Sequence, residues 1–301
     1  MSADAPTEEI DGRRDGTSRF FLASDGVTLH CSHYPAGDEA RAVLVYLHGI
    51  ASHSGWFGET AVELAARGVS VYAPDRRGSG RSEGPRGHLA RHERALADVD
   101  EILDVVRSET EGQPLFLAGS SWAAKLAVVY GATRPRSLSG LVLLGPGLIP
   151  KVTLPLLQQI EVIIGHLLVP TARIRIPLTP ELYTRSSRYL DFIRNDKLRL
   201  LTATTRFFWE TSRLDRRRGR ASADLRLPLL VIQGEDDAMM DVPKTVDWFL
   251  QLRVEDKTYW GYPGAGHTLE FEPDHARYVA DITGWVLPRS SSPGSELTAA
   301  P

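Results

Sequence analysis

A chain of 301 residues, 42% of them hydrophobic, can fill the core of one large domain, or of one domain carrying a sizeable insertion. Its formal charge of −3 leaves no basic footprint for nucleic acid, and the one arginine cluster, Arg213, Arg216, Arg217, Arg218 and Arg220, reads as solvated surface. The single cysteine, Cys31, excludes an internal disulfide and reads as a packed thiol.

Residues 1–17 are rich in Asp, Glu and Arg and lack the apolar segment of a signal peptide, which predicts a disordered tail on a soluble, cytoplasmic protein. Segments 20–23 and 27–34 read as two strands joined at Asp25-Gly26, a pair suited to a tight antiparallel hairpin. Short β-branched runs at 42–47, 69–73, 115–118 and 141–144 then alternate with stretches of helical period. The clearest of these spans about 91–108, with Ala95, Val99, Ile102 and Val105 or Val106 on one face. Such alternation predicts an α/β fold with a mostly parallel sheet flanked by helices.

From 147 to about 225 the rhythm stops, and helical spacing with several prolines but no convincing buried strand predicts an inserted helical cap. Its most apolar part, 152–170, is interrupted by Gln158, Gln159, Glu161 and His166 and makes a poor transmembrane helix. Leu156, Leu157, Ile160, Ile163, Ile164, Leu167 and Leu168 form a stripe at three- and four-residue intervals. That stripe is expected to pack on the core domain; the alternative is a lid that lines an acyl tunnel and touches a membrane surface. Phe207, Phe208 and Trp209 extend the apolar wall. Strand–helix alternation resumes at 229–233, 242–252, 257–261 and 276–286, and 289–301 reads as a second disordered tail. The expected division is therefore a core of 18–146 with 226–288, and a cap of 147–225.

Gly119-Ser120-Ser121-Trp122-Ala123 follows the 115–118 strand and leads directly into helix-forming Ala124, Lys125, Leu126 and Ala127. A serine displayed at such a turn needs small residues two positions to either side, which selects Ser121 over Ser120, with Ala123 standing where glycine is commoner. A serine hydroxyl is a weak nucleophile until a base takes its proton, so a histidine and an acid must follow. His267, in Gly264-Ala265-Gly266-His267, lies in a glycine-rich loop directly after the 257–261 strand; His275 is its rival, whereas His30, His88 and His92 belong to an early hairpin and a helix start. Glu235, Asp236 and Asp237 compete for the acid after Gly234, and spacing alone leaves Asp236 and Asp237 open. Acyl transfer also needs oxyanion donors, here the backbone N–H groups of Trp122 and of Ile50 in the turn His48-Gly49-Ile50-Ala51.

Leu47-His48-Gly49 with His53-Ser54-Gly55, then Asp75-Arg76-Arg77-Gly78-Ser79-Gly80-Arg81-Ser82, then the Ser121 turn, together resemble the monoacylglycerol lipase and lysophospholipase branch of the α/β-hydrolases, of serine aminopeptidase S33 type. The likeness runs in motif order from roughly 26 to 286. It implies an α/β-hydrolase fold with a helical cap between the sixth strand and the acid, Asp237 as that acid, and ester hydrolysis through an acyl-enzyme with no metal or organic cofactor. It also implies that the 75–82 loop supports the site without doing chemistry. That branch usually has a glutamate, an arginine and a histidine where this chain has Ser52, Trp56 and Ser120. Losing these polar contacts weakens glycerol recognition and points to a small-molecule apolar acyl ester as substrate. Acyl transfer or amide cleavage by the same triad, and a non-catalytic ligand-binding protein on this fold, are the alternatives.

Overall fold

A computed structural model describes residues 16–110, 112–135 and 138–290; the rest of the two expected tails, 1–15 and 291–301, lies outside the described residues. Strands β1 (Thr17–Leu22) and β2 (Thr28–Tyr34) pair antiparallel, with Gly26 at φ 84° in the turn between them, a conformation that a residue with a Cβ resists. β3 (Ala42–Leu47), helix α1 (Gly58–Ala65) and β4 (Val69–Pro74) follow. Every residue of β3 and β4 is buried, which is why these strands read as continuous apolar runs: helices cover both faces. Next come α2 (His92–Glu109), β5 (Leu115–Ser120), α3 (Ala124–Thr133) and β6 (Gly140–Leu144). On α2 it is Val106 that is buried, while Val105 is 37% exposed.

Between β6 and the next core strand lies the insertion. It holds α4 (Leu156–Leu168), β7 (Arg173–Arg175), α5 (Ser187–Asn195), β8 (Thr202–Thr204) and α6 (Thr205–Ala221). The core then closes with β9 (Leu229–Gly234), α7 (Val242–Gln251), β10 (Lys257–Tyr262) and α8 (His275–Val286). The eight core strands form one sheet in the order β1-β2-β4-β3-β5-β6-β9-β10, antiparallel at the β1 and β2 end and parallel from β4 onward. The chain leaves β3 toward β4 on one side and returns to β5 on the other, so the β3/β5 junction is the point at which strand order reverses. Crevices outside the carboxyl ends of such strands are where open α/β sheets hold ligands. Register pairs Leu47 with Gly119, bringing the turn after β3 beside the turn after β5.

The structure corrects several expectations. The apolar stripe of α4 does not pack on the core: Leu156, Leu157, Ile160, Ile163, Ile164, Leu167 and Leu168 are 44–79% exposed, and the helix seats itself through Val162 and His166 instead. His166 stacks on Trp209 of α6 at 3.7 Å between ring centroids. The cap contains a short antiparallel pair, β7 with β8, too brief to register as a buried strand in the sequence. Thr17 already belongs to β1, and Arg289 and Ser290 close a short helical turn, so these three residues are not part of structureless tails. Not every arginine of the 213–220 cluster is solvated surface: Arg213 pairs with the buried Glu210, and Arg218 is half-buried. Cys31 is fully buried, and burial pushes its thiol up, as befits a packing residue. Among the described residues no helix is long and apolar enough to cross a membrane.

Asp75, directly after β4, ties the loops around the crevice together. It is 1% exposed and accepts from the Ser54 backbone N–H at 2.7 Å, the Arg81 backbone N–H at 2.8 Å and His30 Nδ1 at 2.9 Å. Burial alone would raise its pKa, but the hydrogen bonds prevail and hold the carboxyl well below its usual range. A carboxyl with a lowered folded-state pKa contributes its full stability above the unfolded value of about 3.9 and loses it as pH falls toward the folded one. Asp75→Asn is therefore expected to cost about 2–4 kcal/mol at neutral pH, because the amide cannot accept all three bonds. Urea denaturation with an unchanged m-value measures this; an unaltered midpoint would contradict the assigned role.

Candidate active site

Ser121 stands at the break between β5 and α3 with φ 50°, and is the one non-glycine residue with positive φ among the described residues. Left-handed backbone at a residue with a Cβ costs on the order of 1–3 kcal/mol and persists only where the surroundings impose it. Here they do. A Cβ on Gly119 would lie 2.8 Å from the Ala123 carbonyl oxygen and 2.9 Å from Ala127 Cβ, so only glycine lets the helix close on the strand. A Cβ on Gly49 would come within 3.2 Å of Ser121 Cβ, so the turn after β3 rests against the serine itself. Ala123 is buried without disturbing this geometry, which accommodates the extra methyl group.

Three residues far apart in the chain meet here. The Ser121 hydroxyl donates to His267 Nε2 at 2.9 Å, and His267 Nδ1 donates to Asp237 Oδ2 at 2.7 Å. His267 and Asp237 are 4% and 2% exposed, so the line of hydrogen bonds is shielded from water on the histidine side. Asp237 Oδ2 also accepts from Gln233 Nε2 at 2.8 Å, and Oδ1 from the backbone N–H groups of Met239 and Met240 at 2.8 and 3.1 Å. Burial works to raise the Asp237 pKa; the charge and hydrogen bond of His267, then those amides, outweigh it and keep the group a carboxylate. Asp236 points outward to Arg185 and Glu235 is exposed, which settles which acid faces the histidine. His275 lies elsewhere, accepting or donating only between Thr60 and Glu63 of α1. His30, His88 and His92 are likewise engaged away from Ser121, with Asp75, Thr204 and Glu210.

The turn carrying Ile50 is held by a half-buried cation of the 75–82 loop, the loop expected to support the site. Arg76 donates to the carbonyls of Gly49 and Ile50 at 3.1 and 3.0 Å and to Ser79 Oγ at 2.9 Å, and its guanidinium lies 4.7 Å from the Trp122 ring centroid. Burial pulls this guanidinium down to about 9, still charged at neutral pH. His48 completes the clamp: its Nε2 accepts the Arg76 backbone N–H at 2.9 Å, which leaves Nδ1 to donate to Gly49 O at 2.8 Å, and burial lowers its pKa to about 3. The Gly49–Ile50 peptide is planar and trans, so a carbonyl turned toward Arg76 turns the Ile50 N–H to the opposite side. One guanidinium thus touches both backbone segments named as oxyanion donors, Ile50 through its loop and Trp122 through its ring.

Two cavities flank Ser121. One, of about 540 Å³, is lined mainly by apolar residues, among them Ile50, Val162, Ile163, Phe208, Trp209 and Met240. Phe208 and Trp209 thus form its wall as expected, whereas Phe207 is buried beneath, 5.3 Å from Trp122 between ring centroids. The other, about 20 Å³, brings together Ser52, Trp56 and Ser120 with Ser121 and His267. Trp56 contributes no polar group to it, because its indole N–H donates to Asp196 Oδ2 of the cap at 2.8 Å and its ring packs on Tyr183, Phe192 and Phe271. The buried Glu270, three residues beyond His267, also lines this small cavity; burial raises its pKa and Tyr46 donates to it at 3.2 Å. Gln233 and Glu270 were missed in the sequence; the signal for Gln233 was a lone amide at the end of an otherwise apolar strand.

Away from this site, His92, Glu93 and Glu210 bring potential metal-ligand atoms within 4.8 Å of one another. Glu210 already accepts from His92 Nδ1 at 2.8 Å, from the His92 backbone N–H at 3.1 Å and from Arg213, an arrangement that fastens α6 to the start of α2.

A doubly covered, mostly parallel sheet, a serine at a strained strand–helix turn after its fifth strand, and a histidine and acid arriving later in the chain define an α/β-hydrolase. The chain belongs to the family described as serine aminopeptidase, S33, whose family model matches residues 38–274. It is similar to human monoglyceride lipase, 27% identical over 286 residues and 93% of each chain, and to a monoacylglycerol lipase of Mycolicibacterium smegmatis, 26% identical over 89% of this chain and 95% of the relative. In three dimensions it resembles a soluble variant of monoglyceride lipase from Saccharomyces cerevisiae in complex with a substrate analogue, with a TM-score of 0.82 at 20% identity, over 96% of this chain and 100% of that one.

The bridging position of Arg76 generates a test. Arg76→Met is expected to lower kcat for a soluble 4-nitrophenyl ester by about 10- to 100-fold with KM little changed, because slackening of the Ile50 turn acts on the transition state. Arg76→Lys should not restore the rate, since one ammonium cannot span both carbonyls and stack on the indole. Steady-state kinetics decide it; a kcat equal to wild type would reduce Arg76 to a packing residue.

Proposed function

We propose that this chain is a serine-dependent carboxylic ester hydrolase that cleaves apolar, lipid-like acyl esters through an acyl-enzyme on Ser121. The observation that carries the reading is the Ser121–His267–Asp237 hydrogen-bond line opening into a cavity of about 540 Å³ with mainly apolar walls. The relatives named above as monoglyceride lipases support the same class of reaction.

In this mechanism His267 Nε2 takes the Ser121 proton as the oxygen attacks the ester carbonyl. Asp237 fixes the Nδ1–H tautomer and stabilises the imidazolium that forms. The N–H groups of Ile50 and Trp122 receive the developing oxyanion. His267 then gives its proton to the departing alcohol, accepts another from the water that attacks the acyl-enzyme, and returns it to Ser121 Oγ as the acid leaves. The acyl chain occupies the large cavity. The small one holds about one water molecule, which a glycerol head group exceeds, so the fitting alcohol is small or extends to solvent. The filling of that space by Trp56 supports this departure from glycerol recognition.

The exposed apolar face of α4 adjoins the large cavity through Val162 and Ile163, and supports peripheral contact of the cap with a lipid surface. Replacing Leu157 and Leu168 together with serine should lower co-sedimentation with phosphatidylcholine vesicles severalfold, while hydrolysis of a water-soluble ester stays within about twofold. Unchanged vesicle binding would remove the lipid-contact role.

The primary test is labelling with a fluorophosphonate. Wild-type protein should take up one equivalent on Ser121 by intact mass and peptide mapping, Ser121→Ala none, and ester turnover should fall by at least about 10⁴-fold in the variant. An adduct mapping elsewhere, or none on folded protein, would favour a non-catalytic binding role.

A further inference from the structure

The large cavity is not apolar throughout. Lys125, Thr211, Ser212 and Asp215 form one polar strip in its wall. Lys125 is the second residue of α3, four positions after Ser121 in the chain, and both residues line the large cavity. It is only 5% exposed, and its ammonium donates to Asp215 Oδ2 on α6 at 2.8 Å. Thr211 is already engaged, accepting from Trp122 Nε1 at 3.0 Å. One helical turn beyond Asp215, Arg218 brings a second cation; it donates to Leu148 O at 3.3 Å, and its buried Nε has no hydrogen-bond partner among the described residues. Burial pulls the Lys125 ammonium down, Asp215 opposes that pull, and Arg218 adds to it.

In the cavity wall Lys125 meets both oxygens of Asp215 at 2.8 Å, and Arg218, one helical turn further along α6 and outside that wall, makes a second cation beside the same carboxylate, which is 34% exposed. An ammonium offers three donors, and Asp215 is the acceptor it meets here. Cation charge in a largely apolar cavity without full compensation is costly, and a ligand anion supplies what is missing. A simple hydrocarbon chain would offer the remaining Lys125 N–H no acceptor.

We propose that Lys125 is a specificity-determining residue that binds a carboxylate carried on the acyl chain, so that the preferred substrates are monoesters of straight-chain dicarboxylic acids. This rests on the ester-hydrolase reading above and adds to it the chemistry of the acyl group. Asp215 then acts as the resident counter-ion, which the substrate carboxylate supplements or displaces toward solvent.

The test separates binding from turnover. Ser121→Ala protein is titrated calorimetrically with monomethyl adipate and with methyl hexanoate, which differ by the terminal carboxylate. The hemiester should bind at least tenfold more tightly. Adding Lys125→Met should abolish that preference, Lys125→Arg should retain it, and Asp215→Asn should widen it by removing a competing anion. A mere tether between α3 and α6 would give the Met and Asn variants the same loss of thermal stability and leave the preference unmoved. No measurable binding of the hemiester, equal binding of the two esters, or a preference that survives Lys125→Met overturns the proposal; should Lys125→Met fail to fold, a preference that Asp215→Asn fails to widen does so. Turnover of both esters by wild-type protein is read separately: absence of any hydrolysis would sink the hydrolase reading and leave the binding preference to stand or fall by the titration.

Discussion

The left-handed backbone at Ser121 is the constraint around which the rest of the molecule is arranged. A serine held there projects from the carboxyl edge of the sheet instead of folding back into a helix, and the chain keeps it so by crowding. Gly119 lets α3 close on β5, Gly49 lets the neighbouring loop touch the serine, and the Gly147 N–H donates to the Ser121 carbonyl at 2.9 Å from the opposite side. The flat register of β3 against β5 brings those segments together before any side-chain chemistry is considered. The local strain is small against the burial energy of a sheet whose central strands are covered on both faces.

Around that point the polar groups are buried and mostly satisfied. Asp75 collects backbone amides from two loops, Arg76 binds two carbonyls and an indole, and Asp237 receives a histidine, an amide side chain and two backbone N–H groups. In a medium of low dielectric such networks fix orientation before substrate arrives, which is the form electrostatic catalysis takes when little reorganisation accompanies the reaction. The loop 75–82 illustrates the division of labour. Its aspartate and arginine touch no part of the Ser–His–Asp line, yet both hold the segments that flank it.

The core was legible in the sequence because β-branched runs, turn glycines and helical spacing agree with one another, and because the small residues at 119 and 123 leave Ser121 as the serine that fits the turn. His267 followed from chain order. The choice between Asp236 and Asp237 was not available from spacing, since it depends on which carboxylate meets the amides of Met239 and Met240 and the side chain of Gln233 once β9 is in place. The supporting role of the 75–82 loop was legible, but the partners of Arg76 were hidden for a related reason: Gly49, Ile50 and Trp122 come from other loops. The α4 stripe was misassigned because periodicity reveals that a helix has an apolar face but not what that face meets. In the folded chain α4 lies across α6 through a different side, and the stripe turns outward.

The two cap helices are consequently held in unequal ways. Helix α6 is fastened to the core by Glu210 to His92, Thr211 to Trp122 and Asp215 to Lys125, three side chains within two turns, so its sequence is bound to that of the catalytic frame. Helix α4 meets the frame mainly through α6, and most of its apolar residues carry no packing obligation. Substitutions on that outer surface are nearly free of stability cost, whereas the neighbouring positions that line the cavity alter what can enter. Lineages of this architecture can therefore diversify their substrates by drift in one helix, while the other preserves the registration of cap on core.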